Sequence, residues 1–172
     1  MEHSNSHTLR KMVGAILLLS TIALYSQSNS GTTFEPLHLV ISVPSLEDTA
    51  EWYISKLDFE AYKKFVVPDK GLSAQLLRKG NFELMLIKSE DSSELPDSRK
   101  NTFSNLAVQG VKRIAFKVEN LSQFIDGLIN KGVAIDVAPR LFEDSKNNVA
   151  FKWAIISDNN GNLIEFVELL KK

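Results

Sequence analysis

The sequence predicts an α+β fold made of two tandem βαβββ units, and three observations carry that prediction. Leu37–Lys88 and Val111–Glu168 read as one strand, helix, strand, strand, strand order written twice. Val43-Pro44-Ser45-Leu46 aligns with Val118-Glu119-Asn120-Leu121, so both helices begin after a strand that ends in valine. Carried backwards, the same offset sets His38 opposite Arg113, which makes that pair the first place to look for a site. Two copies of one unit imply pseudo-twofold symmetry.

In the first unit, Leu39, Ile41 and Val43 alternate with His38, Val40 and Ser42, the period of a strand with two different faces. Ser45 with Asp48 three residues on resembles a capping box, and Leu46, Ala50, Tyr53 and Leu57 then fall on one helical face. Trp52 and Tyr53 are read as helix packing. Asp58 to Val67, Gly71 to Lys79 and Phe82 to Lys88 are strands separated by Pro68-Asp69-Lys70-Gly71 and Lys79-Gly80-Asn81, both turn-forming. Residues 89–110 join the units. Within them Ser89 to Asn105 is polar, contains Pro96 and shows no sustained apolar period, so it reads as a connecting loop or flap.

The second unit opens where Ile114, Phe116 and Val118 alternate with Arg113, Ala115 and Lys117. Asn120 with Gln123 again suits a helix start, Leu121, Phe124, Ile125 and Leu128 form the buried stripe, and Gly132 suits the position just past the helix end. Val133 to Arg140, Val149 to Ser157 and Leu163 to Glu168 complete the unit, the last two joined by a tight turn at Asp158-Asn159-Asn160-Gly161.

Composition narrows the function. The 172 residues carry 20 Lys and Arg against 21 Asp and Glu, a formal charge of −1, and no basic stripe interleaves with aromatics, which argues against a nucleic-acid partner. There is no cysteine, so disulfides, thiolate nucleophiles and Cys-ligated metal centres are excluded. Residues 1–30 have the layout of a secretory signal and short linker: Arg10 and Lys11, an apolar run from Met12 to Tyr25, then small polar residues. The run is shorter than the ~20 residues of a spanning helix, so export with cleavage is expected, leaving no membrane segment. An uncleaved N-terminal anchor is the alternative. Cleavage near Ser26 or Ser28 would remove His3 and His7 and leave His38 as the sole histidine of a domain spanning 34–172.

Three segments then resemble the vicinal oxygen chelate superfamily, the glyoxalase, bleomycin-resistance and extradiol-dioxygenase fold. They are Leu37–Val43 with Ser45-Leu46 and Glu51-Trp52-Tyr53, Val111–Val118, and Asp158–Phe166. The resemblance implies that the two units pair into an open, cupped β-barrel with helices outside, and that the protein forms a homodimer. It also implies, for metal-dependent members, a divalent ion (Zn, Ni, Fe or Mn) held inside the cup at positions that map to His38, Glu83, Arg113 and Glu165.

Arg113 conflicts with that implication. A guanidinium is permanently charged and only donates, so it cannot ligate a cation. Two pictures follow. In one, His38, Glu83 and Glu165 hold the ion and Arg113 binds a substrate anion. In the other, Arg113 takes the ion's electrostatic role and pairs with Glu83 and Glu165 in a metal-free cavity. A metal beside a guanidinium is repelled by ~4 kcal/mol per unit charge pair at an effective dielectric of about 20, which favours the second picture.

The first functional expectation is therefore an exported barrel that binds a small, anionic molecule through Arg113, His38 and apolar walls such as Met85 and Trp153. The second is a metal-dependent glyoxalase-like lyase, isomerase or dioxygenase in which Glu165 or Glu83 acts as general base. The third is an envelope protein-interaction domain with a vestigial cup. Plain readings stand beside these: His38 as a structural histidine, Glu83 and Glu168 as solvated carboxylates, Arg113 as a salt-bridge partner, and Trp153 as core filler.

Overall fold

Two βαβββ units follow one another in the computed structural model, which describes residues 35–170. The leader reading, with its apolar run and His3 and His7, lies outside the described residues. The first unit comprises β1 (Leu39–Ser42), α1 (Leu46–Leu57), β2 (Glu60–Val67), β3 (Leu72–Lys79) and β4 (Phe82–Ser89). Two short helices, α2 (Asp97–Lys100) and α3 (Thr102–Ala107), lie in the connection. The second unit comprises β5 (Arg113–Lys117), α4 (Leu121–Asn130), β6 (Ile135–Asp144), β7 (Val149–Ser157) and β8 (Leu163–Leu169). Each unit forms one four-stranded sheet, ordered β1-β4-β3-β2 and β5-β8-β7-β6, whose first and last strands are parallel. The α+β class and the twofold repeat are thus as the sequence predicts, and the two sheets stay separate rather than closing a barrel.

Both helices start as their capping residues require. Ser45 Oγ accepts from the Asp48 N–H at 3.2 Å, and Asn120 Oδ1 accepts from that of Gln123 at 3.1 Å. The start of α4 has a further partner, Glu168 Oε2, which accepts the Leu121 N–H at 2.9 Å. That hydrogen bond, with Lys152 beside it, holds the Glu168 carboxyl below its usual range. Glu168 is therefore bound to the next layer, not solvated as its place near the chain end suggested. Gly132 follows α4 at φ +76°, where a side chain would be strained.

The sheets alternate as the period of two requires. Leu77, Leu84 and Leu86 of the first sheet and Ala154, Ile156, Ile164 and Phe166 of the second join the helical stripe of Leu46, Tyr53, Leu57, Leu121, Ile125 and Leu128 in one core. Phe116 connects the halves: its ring meets Phe59 and Phe82 at 6.3 and 5.2 Å and stacks on Phe166 at 6.0 Å. The opposite, open face of each sheet carries the intervening residues, among them Val40, Met85 and Leu76 in the first and Glu165, Ile155 and Trp153 in the second.

The β7–β8 turn is more than a hairpin. Asp158 accepts from the backbone N–H groups of Asn160 and Asn162 at 2.8 and 2.9 Å and from Asn162 Nδ2 at 2.9 Å. Its Oδ2 also accepts a hydrogen bond from the Tyr53 hydroxyl at 3.0 Å, while Asn160 Nδ2 donates to Thr49 Oγ1 at 2.9 Å. The turn of the second unit is in this way fastened to α1 of the first. Burial, reinforced by the adjacent carboxylate, pushes the Tyr53 hydroxyl far above its ordinary range.

Two expectations need correction. The connection holds α2 and α3, of four and six residues, too short to leave a helical period in the sequence. Asn101 caps α3 by accepting from Phe103 and Ser104, and Thr102 and Asn105 are buried. Strand β6 runs on to Asp144 rather than stopping at Arg140, because a register shift between Val137 and Arg140 absorbs Pro139 and lets pairing resume.

Candidate functional site

Arg113 begins β5 on the open face, and its Nε donates to Glu165 Oε2 at 2.9 Å. The two residues are diagonal neighbours, since the register partner of Glu165 is Ala115, two positions further along. Both side chains are largely screened, with 27% and 14% of their surfaces exposed. A carboxylate this enclosed needs a compensating positive charge, and the guanidinium supplies it. Arg113 spends one donor on this pair. Its planar fork retains further N–H groups, and among the described residues no protein acceptor takes them.

The other residues singled out from sequence do not converge on that pair. His38 is exposed just before β1. Glu83 is half-buried and lies across from Arg78 on β3. Partial burial, and the Glu83 carboxylate next to it, push the Tyr62 hydroxyl up. Tyr62 also carries the Arg78 guanidinium over its ring at 5.5 Å, and Arg78 donates to Glu60. Glu83 is therefore part of a charged row at one end of the first sheet, not a partner of Arg113. Met85 sits half-buried between Val40 and Leu76 in register. Trp153 packs on a small cluster of Val137, Ile155 and Leu163 on the open face of the second sheet, so it both fills space and walls that face.

Strand register revises the mapping of Glu83 and Glu165 to matching positions. Leu39 pairs with Leu84 and Val40 with Met85, whereas Ile114 pairs with Ile164 and Ala115 with Glu165. Superposing the repeats thus sets Met85 against Glu165, and Leu163 against Glu83. The two glutamates stand two residues out of step, about 6.6 Å along a strand.

A divalent ion does not fit the donors that result. The matched positions offer a guanidinium at Arg113 and a thioether at Met85, and the Glu165 carboxylate is engaged by Arg113. No group of three or more His, Cys, Asp or Glu side chains among the described residues is placed to hold a metal ion.

A cleft of about 720 Å³ runs along the edges of β1 and β5 that carry no neighbouring strand. Val40, Ser42 and Arg113 line it from the sheets, and Arg99, Asn105 and Lys112 from the connection and its end. Of the site residues proposed from sequence, Arg113 alone lines this cleft. The last three were missed because the connection reads as generic polar loop; the basic steps Arg99-Lys100 and Lys112-Arg113 were the available signal.

Two βαβββ units, each a four-stranded sheet with its helix packed on one face, define the α+β class of the chain. Residues 36–166 match the family model described as Glyoxalase/Bleomycin resistance protein/Dioxygenase superfamily, and the chain belongs to that superfamily. Solved structures agree on the fold. A glyoxalase family protein from Enterococcus faecalis is 25% identical with a TM-score of 0.62, covering 78% of this chain and 97% of its own. A glyoxylase/bleomycin resistance protein/dioxygenase domain from Frankia sp. EAN1pec is 15% identical with a TM-score of 0.63, over 81% of this chain and 95% of that one. Glyoxalase I from Zea mays is 18% identical with a TM-score of 0.58, and the match covers 79% of this chain but 45% of the maize protein. No curated protein matches the chain.

Proposed function

We propose that this protein is an exported binding member of the superfamily, one that takes a small anionic molecule on its open face through Arg113 rather than through a metal ion. The observation that carries the reading is the Arg113–Glu165 pair: the carboxylate fixes the guanidinium by its Nε and leaves the rest of the fork to accept a bidentate anion. Val40 lines the same cleft as Arg113, and Trp153 shares the open face of the second sheet with Glu165. Glu165 is a positioning group for Arg113 in this account, and neither it nor Glu83 is assigned as a general base. A homodimer belongs to the same proposal, on the strength of the family resemblance.

The test is a thermal-shift screen of small carboxylates in EDTA, on the chain from about Gln27, with Arg113→Gln in parallel. Ligands should stabilise the wild type without added metal. Arg113→Gln should weaken them at least tenfold, about 1.4 kcal/mol. Stabilisation that appears only with a divalent ion would contradict the proposal.

A further inference from the structure

Two residues that line the cleft along β1 and β5 each hold a buried polar atom with no hydrogen-bonding partner among the described residues: Lys112 Nζ and Asn105 Oδ1. One can only donate and the other only accept. A shielded ammonium without an acceptor is among the costlier arrangements a fold can hold, and orphaned groups of this kind mark a missing partner. Asn105 is itself held in place, because its Nδ2 donates to the Arg99 carbonyl oxygen at 3.2 Å.

The charges around these atoms do not balance. Arg113 is compensated by Glu165, and Lys100 by Asp97 at 3.1 Å and Glu94 at 3.6 Å. Arg99 and Lys112, which line the same cleft, have no carboxylate partner among the described residues. Arg99 gives an Nη2 proton to the Val111 carbonyl oxygen, a neutral acceptor. Burial, and then the nearby Arg99 charge, hold the Lys112 ammonium below its usual range, as expected for two cations that share one pocket.

A water molecule would satisfy the two orphaned atoms but would leave both positive charges unopposed. A carboxylate would oppose the charges but has no proton for Asn105 Oδ1. Sulfate has the same shortcoming. An oxyanion that keeps a hydroxyl meets every requirement: its oxygens accept from Lys112 and Arg99, and its O–H donates to Asn105. We infer that the cleft is a binding site for a monoprotonated phosphate or phosphonate group, seated on Lys112, Arg99 and Asn105. The volume of about 720 Å³ leaves room for an organic substituent on that group.

This site does not depend on the open-face reading. It is carried by Lys112, Arg99 and Asn105, none of which the open-face reading uses, while Arg113 of the same cleft is held by Glu165.

The experiment is calorimetric titration with inorganic phosphate at pH 7, against sulfate and acetate at matched ionic strength, and with phenylphosphonate. Phosphate should bind at least tenfold more tightly than sulfate, and any acetate binding should be unchanged in Lys112→Met. Lys112→Met should reduce phosphate affinity at least tenfold while leaving the thermal midpoint equal or higher, since it removes an unopposed buried charge. Arg99→Gln provides the same test should Lys112→Met not fold. Asn105→Ala should bring phosphate down to the level of sulfate. Tighter binding of phenylphosphonate than of phosphate assigns the site to an organic ligand's headgroup, and the reverse order assigns it to free phosphate. Phosphate binding no tighter than sulfate, or undiminished in Lys112→Met and Arg99→Gln, overturns the inference.

Discussion

Asp158→Ala is expected to cost about 3–5 kcal/mol of stability. The change removes four hydrogen bonds to one carboxylate and leaves the Tyr53 hydroxyl, on a side chain with 0% exposure, with no acceptor. Tyr53→Phe should cost less, about 1–2 kcal/mol, because Asp158 keeps its three donors from Asn160 and Asn162. The two variants also separate by pH. In the unfolded chain Tyr53 ionises near 10, and in the folded protein well above that. Its contribution is therefore fully present below about pH 10 and is lost as the pH rises beyond it, because only the unfolded state then releases the proton. Urea denaturation at pH 8 and pH 11 should show a steeper alkaline loss for the wild type than for Tyr53→Phe. Equal losses would mean that Tyr53 is not buried against Asp158.

Phe116→Ala should cost about 3–4 kcal/mol, and the form of the loss matters as much as its size. Phe116 touches Phe59 and Phe82 of the first unit and Phe166 of the second, so the two units share its packing. One cooperative transition should shift as a whole to lower denaturant. A first transition confined to the second unit, with the first unit melting at its wild-type midpoint, would show that the units have separate cores.

How much of this was legible in the sequence follows from the range of each interaction. The capping residues Ser45 and Asn120 act over three positions, so both helices could be read directly, as could the alternation of Ile114, Phe116 and Val118. The Tyr53–Asp158 contact joins residues 105 apart, and nothing local distinguishes that tyrosine from ordinary helix packing or that aspartate from an ordinary turn residue. Glu168 was misjudged for the same reason: its partner, the Leu121 N–H, is 47 residues away. The mismatch between Glu83 and Glu165 has a different origin. The loops before the last strand differ in length between the repeats, and only strand pairing shows that Met85 occupies the matching level. Arg113 was recognisable because the repeat set it opposite His38. Its pairing with Glu165, and not with Glu83, required the register.

The proposed reading is that the Arg113–Glu165 ion pair, with Met85 at the matched position of the other repeat, recognises anions where the family resemblance implies a metal ion. Its most direct test is metal stoichiometry, measured by elemental analysis and divalent-ion titration, on the wild type and on the Arg113→His/Met85→Glu double variant. The expected result is no stoichiometric ion in the wild type and one bound ion in the double variant, in which the guanidinium is gone and an imidazole and a carboxylate occupy the two matched positions. One tightly bound ion in the wild type, lost in Glu165→Ala, would contradict it.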